Sequence, residues 1–271
     1  MEILLYLLIG SVSGFFAGLF GIGGGLIIIP CLYFVFNYIL HYDPSIIMHL
    51  AVGTALASIV ISSLSSALSH HKKGAIVWSV VKVFVPFMLL GSLLGAWIAN
   101  QLSSANMQLV IGLFAFWTAY GMLKKKNIIE AETMNLPNVW TMRVVGGAIG
   151  VASSIFGIAG GSIIVPYLNR CGMLIQRAVA TSSACGVPIS IMGAIGYLWF
   201  GSQHSIQAPN SLGYVHIYAF LGISIASFMT AKLGVKVAHA ISAQKLKKYF
   251  AIELLLVGCY FIYQWLRVFF Y

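Results

Sequence analysis

The feature that most restricts the fold of this chain is a glycine-rich motif that occurs twice inside long apolar stretches. The run FGIGGGLIIIP at residues 20–30 returns as FGIAGGSIIVP at residues 156–166, with eight of eleven positions identical. Glycine weakens a helix by about 1 kcal/mol per residue relative to alanine. We therefore interpret each motif as a break between two helices, and the recurrence as an internal duplication.

The composition places these motifs in a membrane protein. Of the 271 residues, 60% are hydrophobic and only 7% are charged, which is too few to form a water-soluble surface. The formal net charge is +10, but the basic residues cluster in short loops between apolar stretches. Such clustering is typical of loops that set membrane topology, and we exclude nucleic-acid binding.

The apolar stretches are mostly close to the ~20 residues that span a bilayer as a helix. They cover residues 3–38, 46–69, 75–99, 107–123, 144–168, 178–200, 215–235 and 249–271. The first stretch is too long for one span and contains the first glycine motif. It is compatible with one long helix or with a re-entrant pair of helices that turns back at the glycines.

The distribution of basic residues decides between these topologies. If every stretch crosses once, the fifteen Lys and Arg residues divide eight to seven between the two faces. If each glycine-broken stretch enters and leaves on the same side, fourteen of the fifteen share one face and only Arg267 lies opposite. Because cytoplasmic loops concentrate Lys and Arg, we expect that face to be cytoplasmic.

The predicted fold is therefore an all-α polytopic membrane protein with two inverted repeats. Each repeat consists of a glycine-broken helical hairpin plus three transmembrane helices. Residues 1–126 form the first repeat, residues 127–140 a cytoplasmic linker and residues 141–271 the second repeat. We expect a multi-pass protein of the cell membrane, which is the inner membrane in a Gram-negative organism. Small residues such as Gly91 and Gly95 permit a homodimer.

Inverted repeats of broken helices are typical of secondary transporters, whose substrate site lies where the breaks meet. A helix that begins after a glycine break presents backbone N–H groups and the positive end of its dipole, which favours an anion. The alternative is that the glycines only allow close helix packing. The candidate substrate-binding glycines are Gly21, Gly23, Gly24, Gly25, Gly157, Gly160 and Gly161.

Hydroxyl groups are the second candidate feature. They recur every four residues along the second stretch, at Thr54, Ser58, Ser62 and Ser66. Hydroxyls can coordinate an oxyanion without a fixed charge that would trap it; the alternative role is hydrogen bonding between helices. The predicted substrate-binding hydroxyls are Thr54, Ser58, Ser162, Thr181, Ser182 and Ser183.

Other chemistry is poorly represented in the sequence. Glu253 is the one carboxylate inside an apolar stretch, and its position five residues after Lys248 predicts a place near the cytoplasmic interface. The sequence contains no phosphate-binding loop and no catalytic or metal-binding motif, so we expect neither an enzyme nor a cofactor. Outward movement of one negative charge gains about 2.3 kcal/mol per 100 mV across a membrane that is negative inside.

These motifs resemble the sulfite exporter TauE/SafE family. Each glycine motif is followed by Ala-Val-x-Thr, ending at Thr54 and Thr181, and the resemblance covers nearly the whole chain. It implies export of sulfite, sulfoacetate or a related organosulfur anion, with the glycine breaks and the hydroxyls lining the path. Ala159 stands where the first motif has Gly23, so the two half-sites need not be equivalent.

We therefore predict a permease that exports a small sulfur-containing anion by alternating access at the paired broken helices. Two other classes remain open at this point. A passive anion channel would conduct without saturation, and a membrane scaffold or assembly protein would not transport at all.

Overall fold

The structure is a computed structural model that describes residues 2–21, 23–124, 134–240 and 243–270. The helices are α1 (Glu2–Phe20), α2 (Gly25–Phe34), α3 (Ile47–Lys72), α4 (Trp78–Gln101), α5 (Ser104–Lys124), α6 (Val139–Phe156), α7 (Gly161–Arg170), α8 (Ile175–Ser202), α9 (Ile217–Ala240) and α10 (Ala243–Phe270). A π-helical turn, Val35–Ile39, follows α2, and a short hairpin pairs β1 (Ser211–Leu212) with β2 (Val215–His216). Residues 127–133 of the predicted linker lie outside the described residues.

The helices agree with the predicted apolar stretches. Each stretch forms one long helix, except that the two glycine-containing stretches each form two. Within the described residues, seven helices are long and apolar enough to cross a membrane. The prediction of an all-α polytopic membrane protein is confirmed.

Helices α3 and α8 form the centre of the molecule. We compare the most apolar segment of each candidate span. The buried part of this segment is 83% in α3 and 72% in α8, but at most 44% in the other five spans. Most hydroxyl groups of α3 and α8, such as those of Thr54 and Thr181, therefore face protein rather than lipid. This placement allows polar side chains at membrane depth, because hydrogen bonds within the protein replace those that water would make.

Corresponding helices of the two halves make corresponding contacts, with α1 to α5 matching α6 to α10 in order. Helix α1 packs along α9 as α6 packs along α4, and α3 packs on α9 as α8 packs on α4. The counterparts α3 and α8 pack on each other, as do α5 and α10. Leu56 lies against Gly193, while Ser66 lies 3.1 Å from Ser183 between their hydroxyl oxygens, so α3 and α8 run antiparallel.

Small residues in α4 serve packing within the chain. The backbone of α6 at Gly147 and Val151 lies so close to Gly91 and Gly95 that a methyl group on either glycine would overlap it. This close approach is typical of small-residue helix pairs in membranes. The face that the sequence suggested for a homodimer is therefore occupied by α6, and a homodimer stays a prediction that needs another surface.

The connecting loops meet in two groups at opposite ends of the bundle. At one end, Ser104 donates a hydrogen bond to the carbonyl of Ser45 (2.6 Å). At the other end, the backbone N–H of Asn135 donates to the carbonyl of Cys171 (2.9 Å). The second group includes the loops after α3 and α7, and basic residues lie in or beside these loops at Lys72, Lys73, Arg170 and Arg177.

Candidate functional site

The two glycine breaks touch each other in the middle of the bundle. Gly25, the first residue of α2, lies directly against the carbonyl oxygen of Gly157, and Gly23 lies against Ala159. The side chain of Ile59, near the middle of α3, contacts the same region. The structure thus brings together two motifs that are separated by more than a hundred residues in the sequence.

The backbone at the breaks requires glycine. Positive φ angles of 62° to 82° occur at Gly21, Gly23, Gly24, Gly157 and Gly160. L-residues with a side chain rarely adopt this conformation, which ends one helix and redirects the chain into the next. Gly24 and Gly160 are the N-caps of α2 and α7, and neither cap provides a side-chain hydrogen bond. The first N–H groups of both helices are therefore suited to an anionic partner.

Hydroxyl groups from both central helices hold the first break. Ser62 of α3 donates a hydrogen bond to the carbonyl of Gly23 (2.8 Å), and Ser182 of α8 donates to the carbonyl of Gly21 (3.1 Å). These bonds satisfy carbonyls that the interrupted helix leaves without a partner. The hydroxyl of Ser182, a predicted substrate-binding residue, therefore donates its hydrogen to the protein backbone.

Two other predicted ligands also donate to backbone carbonyls. The hydroxyl of Ser58 donates to the carbonyl of Thr54 (2.9 Å), and that of Ser183 donates to the carbonyl of Val179 (3.0 Å). Both bonds lie within one helix, four residues apart. An oxyanion requires hydrogen-bond donors, so these two hydroxyls would have to exchange partners to bind one.

Thr54 and Thr181 have a different arrangement, which is the same in both halves. The side-chain oxygen of Thr54 accepts from the N–H of His216 (2.9 Å), immediately before α9, and that of Thr181 accepts from the N–H of Val77 (3.1 Å), immediately before α4. Among the described residues, neither threonine hydroxyl donates a hydrogen bond to another group. Their hydrogens therefore remain able to bind an anion.

Two further serines near the breaks are buried without a hydrogen bond among the described residues. Ser162, in the first turn of α7, is 0% exposed, and Ser63 of α3 is 1% exposed. The Ser63 hydroxyl lies beside both Gly23 and Gly186. Ser162 was predicted as a ligand, whereas Ser63 was missed because it stands one residue outside the four-residue hydroxyl repeat.

Glu253 lies beside the C-terminal part of α9, and its place near the cytoplasmic interface stays a prediction. One turn before it, Phe250 stacks on Phe20, the last residue before the first break, with ring centroids 4.9 Å apart. The glutamate lines a cavity of about 440 Å³ between α1, α9 and α10, together with apolar side chains such as Phe16. Both carboxylate oxygens are buried, and neither has a hydrogen bond among the described residues.

Replacement of Glu253 by leucine is expected to stabilise the protein. An unpartnered buried polar group costs about 1–3 kcal/mol, and leucine would fill the apolar surroundings instead. Thermal unfolding in detergent should therefore shift to higher temperature. Glu253→Gln, which keeps a polar group, is the matched control and should show little of this gain. A lower unfolding temperature for the leucine variant would contradict the assignment of the carboxylate as unpartnered.

Comparisons with known proteins agree with this architecture. The family described as "Sulfite exporter TauE/SafE" matches residues 6–261. A probable membrane transporter protein of Haemophilus influenzae is 37% identical over 94% of this chain and 96% of its own length. Another, of Methanocaldococcus jannaschii, is 30% identical over 90% of this chain and 89% of its own length. No solved structure matches the chain significantly. The chain therefore belongs to the sulfite exporter TauE/SafE family and is a multi-pass membrane transporter.

Proposed function

We propose that this transporter exports a small anion, sulfite or an organosulfonate, by alternating access at the paired breaks. The proposal rests mainly on one observation, the contact between Gly25 and the carbonyl of Gly157 at the centre of the bundle. This contact places the start of α2 against the C-cap of α6, four residues before α7 begins, and both α2 and α7 begin without a side-chain cap. Two helix N-termini in one region favour negative charge.

The choice of a sulfur oxyanion follows from the neutral donors around the breaks and from the family. Hydroxyl and backbone N–H groups can surround an oxyanion and release it again, because no described residue places a fixed cation at the centre. The proposed substrate-binding residues are Gly21, Gly23, Gly24, Gly25, Thr54, Ser58, Gly157, Gly160, Gly161, Ser162, Thr181, Ser182 and Ser183. Among their hydroxyls, those of Thr54, Ser162 and Thr181 have hydrogens that no described residue accepts.

We also propose that residues 1–126 and 141–271 are inverted repeats that rock about the breaks. The antiparallel pairing of α3 with its counterpart α8 supports this relation. Helices α5 and α10 are likewise antiparallel, since Gly112 lies against Ile262 and Gly258 against Phe116. Counterparts that pack antiparallel on each other have opposite directions in the membrane, and the end rich in lysine and arginine would be cytoplasmic.

Anion efflux from liposomes tests the proposed function. We expect purified protein to release sulfite or sulfoacetate with saturable kinetics, faster when the potential drives negative charge outward. Protein-free liposomes and liposomes loaded with chloride are the controls for leakage and for selectivity. Flux that rises linearly with concentration and includes chloride would identify a channel. Absence of flux of either sulfur anion from folded protein would contradict the proposal.

A further inference from the structure

A crevice between α5 and α7 opens beside the second break. It has a volume of about 320 Å³, and its lining includes Thr118 of α5 and Ser162, Tyr167 and Arg170 of α7. Trp117, which is 72% exposed, stands at its outer side. The crevice therefore connects the start of α7, where the break ends, with the arginine at the other end of the same helix.

The inner part of the crevice contains polar groups without partners. Ser162 is 0% exposed and Thr118 is 7% exposed, and neither hydroxyl has a hydrogen bond among the described residues. The Tyr167 hydroxyl is also buried. The Cys171 thiol, which is a weak hydrogen-bond partner, lies beside it. Buried polar groups nearly always have partners, so the unpartnered hydroxyls of Ser162 and Thr118 along one crevice indicate a ligand.

The outer part of the crevice contains a cation. Arg170 lies in the last turn of α7, eight residues after Ser162, which corresponds to about 12 Å along the helix axis. Its side chain is exposed and makes no ion pair with a described residue. Arg267, at the opposite end of the bundle, differs in that it donates a hydrogen bond to the Tyr38 hydroxyl (2.7 Å).

We infer that this crevice binds a single oxyanionic group, with Arg170 attracting it at the outer end and the hydroxyls of Thr118, Ser162 and Tyr167 donating hydrogen bonds at the inner end. A guanidinium and neutral hydroxyls are the donors that suit a tetrahedral or pyramidal oxyanion. The crevice would also be an entrance through which the anion reaches the breaks. This role rests on the proposed function, the export of a sulfur anion. A free sulfur anion and the phosphate of a lipid headgroup share the chemistry that this site recognises.

Two of the three hydroxyls, those of Ser162 and Tyr167, come from α7 of the second half and have no equivalent in α2 of the first half. The repeat counterpart of Ser162 is Leu26, and the counterpart of Tyr167 is Cys31. The matching position, between α2 of the first half and α10 of the second, therefore has neither hydroxyl. We expect one such site in each chain.

Binding of sulfite to protein in nanodiscs of neutral phosphatidylcholine tests the free-anion source. We expect Ser162→Ala and Thr118→Val each to weaken the affinity by about ten- to a hundred-fold, as for loss of a hydrogen bond to a charged group. Arg170→Gln should weaken binding to a similar extent and reduce its dependence on salt. Matched controls are Ser224→Ala, which removes a buried unpartnered hydroxyl on α9, and Arg143→Gln on α6; both should bind as wild type.

Retention of phosphatidylglycerol on the purified protein tests the lipid source. Retention that is lost in the same three variants, and kept in both controls, would assign the site to a headgroup phosphate. Sulfite affinity and lipid retention that are both unchanged in the three variants would overturn the inference. Because binding is measured without transport, a wild type that binds sulfite but shows no efflux would contradict the proposed function and not the crevice.

Discussion

Replacement of Gly25 by valine is expected to reduce anion efflux by roughly ten- to a hundred-fold, while the protein still inserts and folds. A β-carbon at this position would overlap the carbonyl oxygen of Gly157 and lie 2.8 Å from the terminal carbon of Ile59. The two breaks would have to separate, and the start of α2 would no longer lie against the end of α6. Initial rates of sulfite efflux from proteoliposomes measure the effect.

The matched control for this variant is Gly147→Ala in α6. The nearest atom to a β-carbon at Gly147 is the carbonyl oxygen of Phe87 at 3.7 Å, which is an ordinary contact. Its efflux should therefore equal that of wild type, and Gly25→Ala should fall between the two. Wild-type efflux from folded Gly25→Val would mean that the contact between the breaks is not part of the transport site.

The broken helices could be predicted from the sequence because the requirement for glycine is local. Positive φ angles at Gly24 and Gly160 depend on the backbone of a few residues, and the repeated motif identifies both turns. The helices indeed end at Phe20 and Phe156 and resume at Gly25 and Gly161. Composition and stretch length were likewise sufficient to predict an all-α membrane fold.

The partners of the hydroxyl groups could not be predicted. A four-residue spacing places Ser58 and Ser62 on one face of α3, but it does not specify which carbonyl each one meets. Ser62 reaches the carbonyl of Gly23, whereas Ser58 bonds within its own helix. The difference depends on where the chain of the break passes, which is a tertiary property.

Two other features depend on packing between distant segments. Thr118 lines the same crevice as Ser162 because α5 packs against α7, and nothing near Thr118 in the sequence indicates a polar site. The depth of Glu253 was predicted from its spacing to Lys248 alone. The stacking of Phe250 on Phe20 places this part of α10 level with the end of α1, which the spacing to Lys248 does not specify.

Loss of the threonine hydroxyls at Thr54 and Thr181 is expected to have the largest effect on stability. In Thr54→Val the N–H of His216 loses its acceptor, and in Thr181→Val the N–H of Val77 does. A buried donor without a partner costs about 1–3 kcal/mol. The two sites lie near opposite ends of the α3–α8 pair, so the double variant should lose the sum, about 2–6 kcal/mol. Reversible unfolding in mixed micelles measures this free energy.

Conservative variants separate this structural role from substrate binding. Thr54→Ser and Thr181→Ser keep the acceptor and should remain within about 0.5 kcal/mol of wild type. Ser58→Ala removes a hydroxyl that bonds only within its own helix, and it should cost less than either valine substitution. Valine variants as stable as wild type would contradict the hydrogen bonds to α9 and α4. Each of these bonds joins a central helix of one half to the start of a helix in the other half. Their loss should therefore weaken the contact between the halves, on which rocking about the breaks depends.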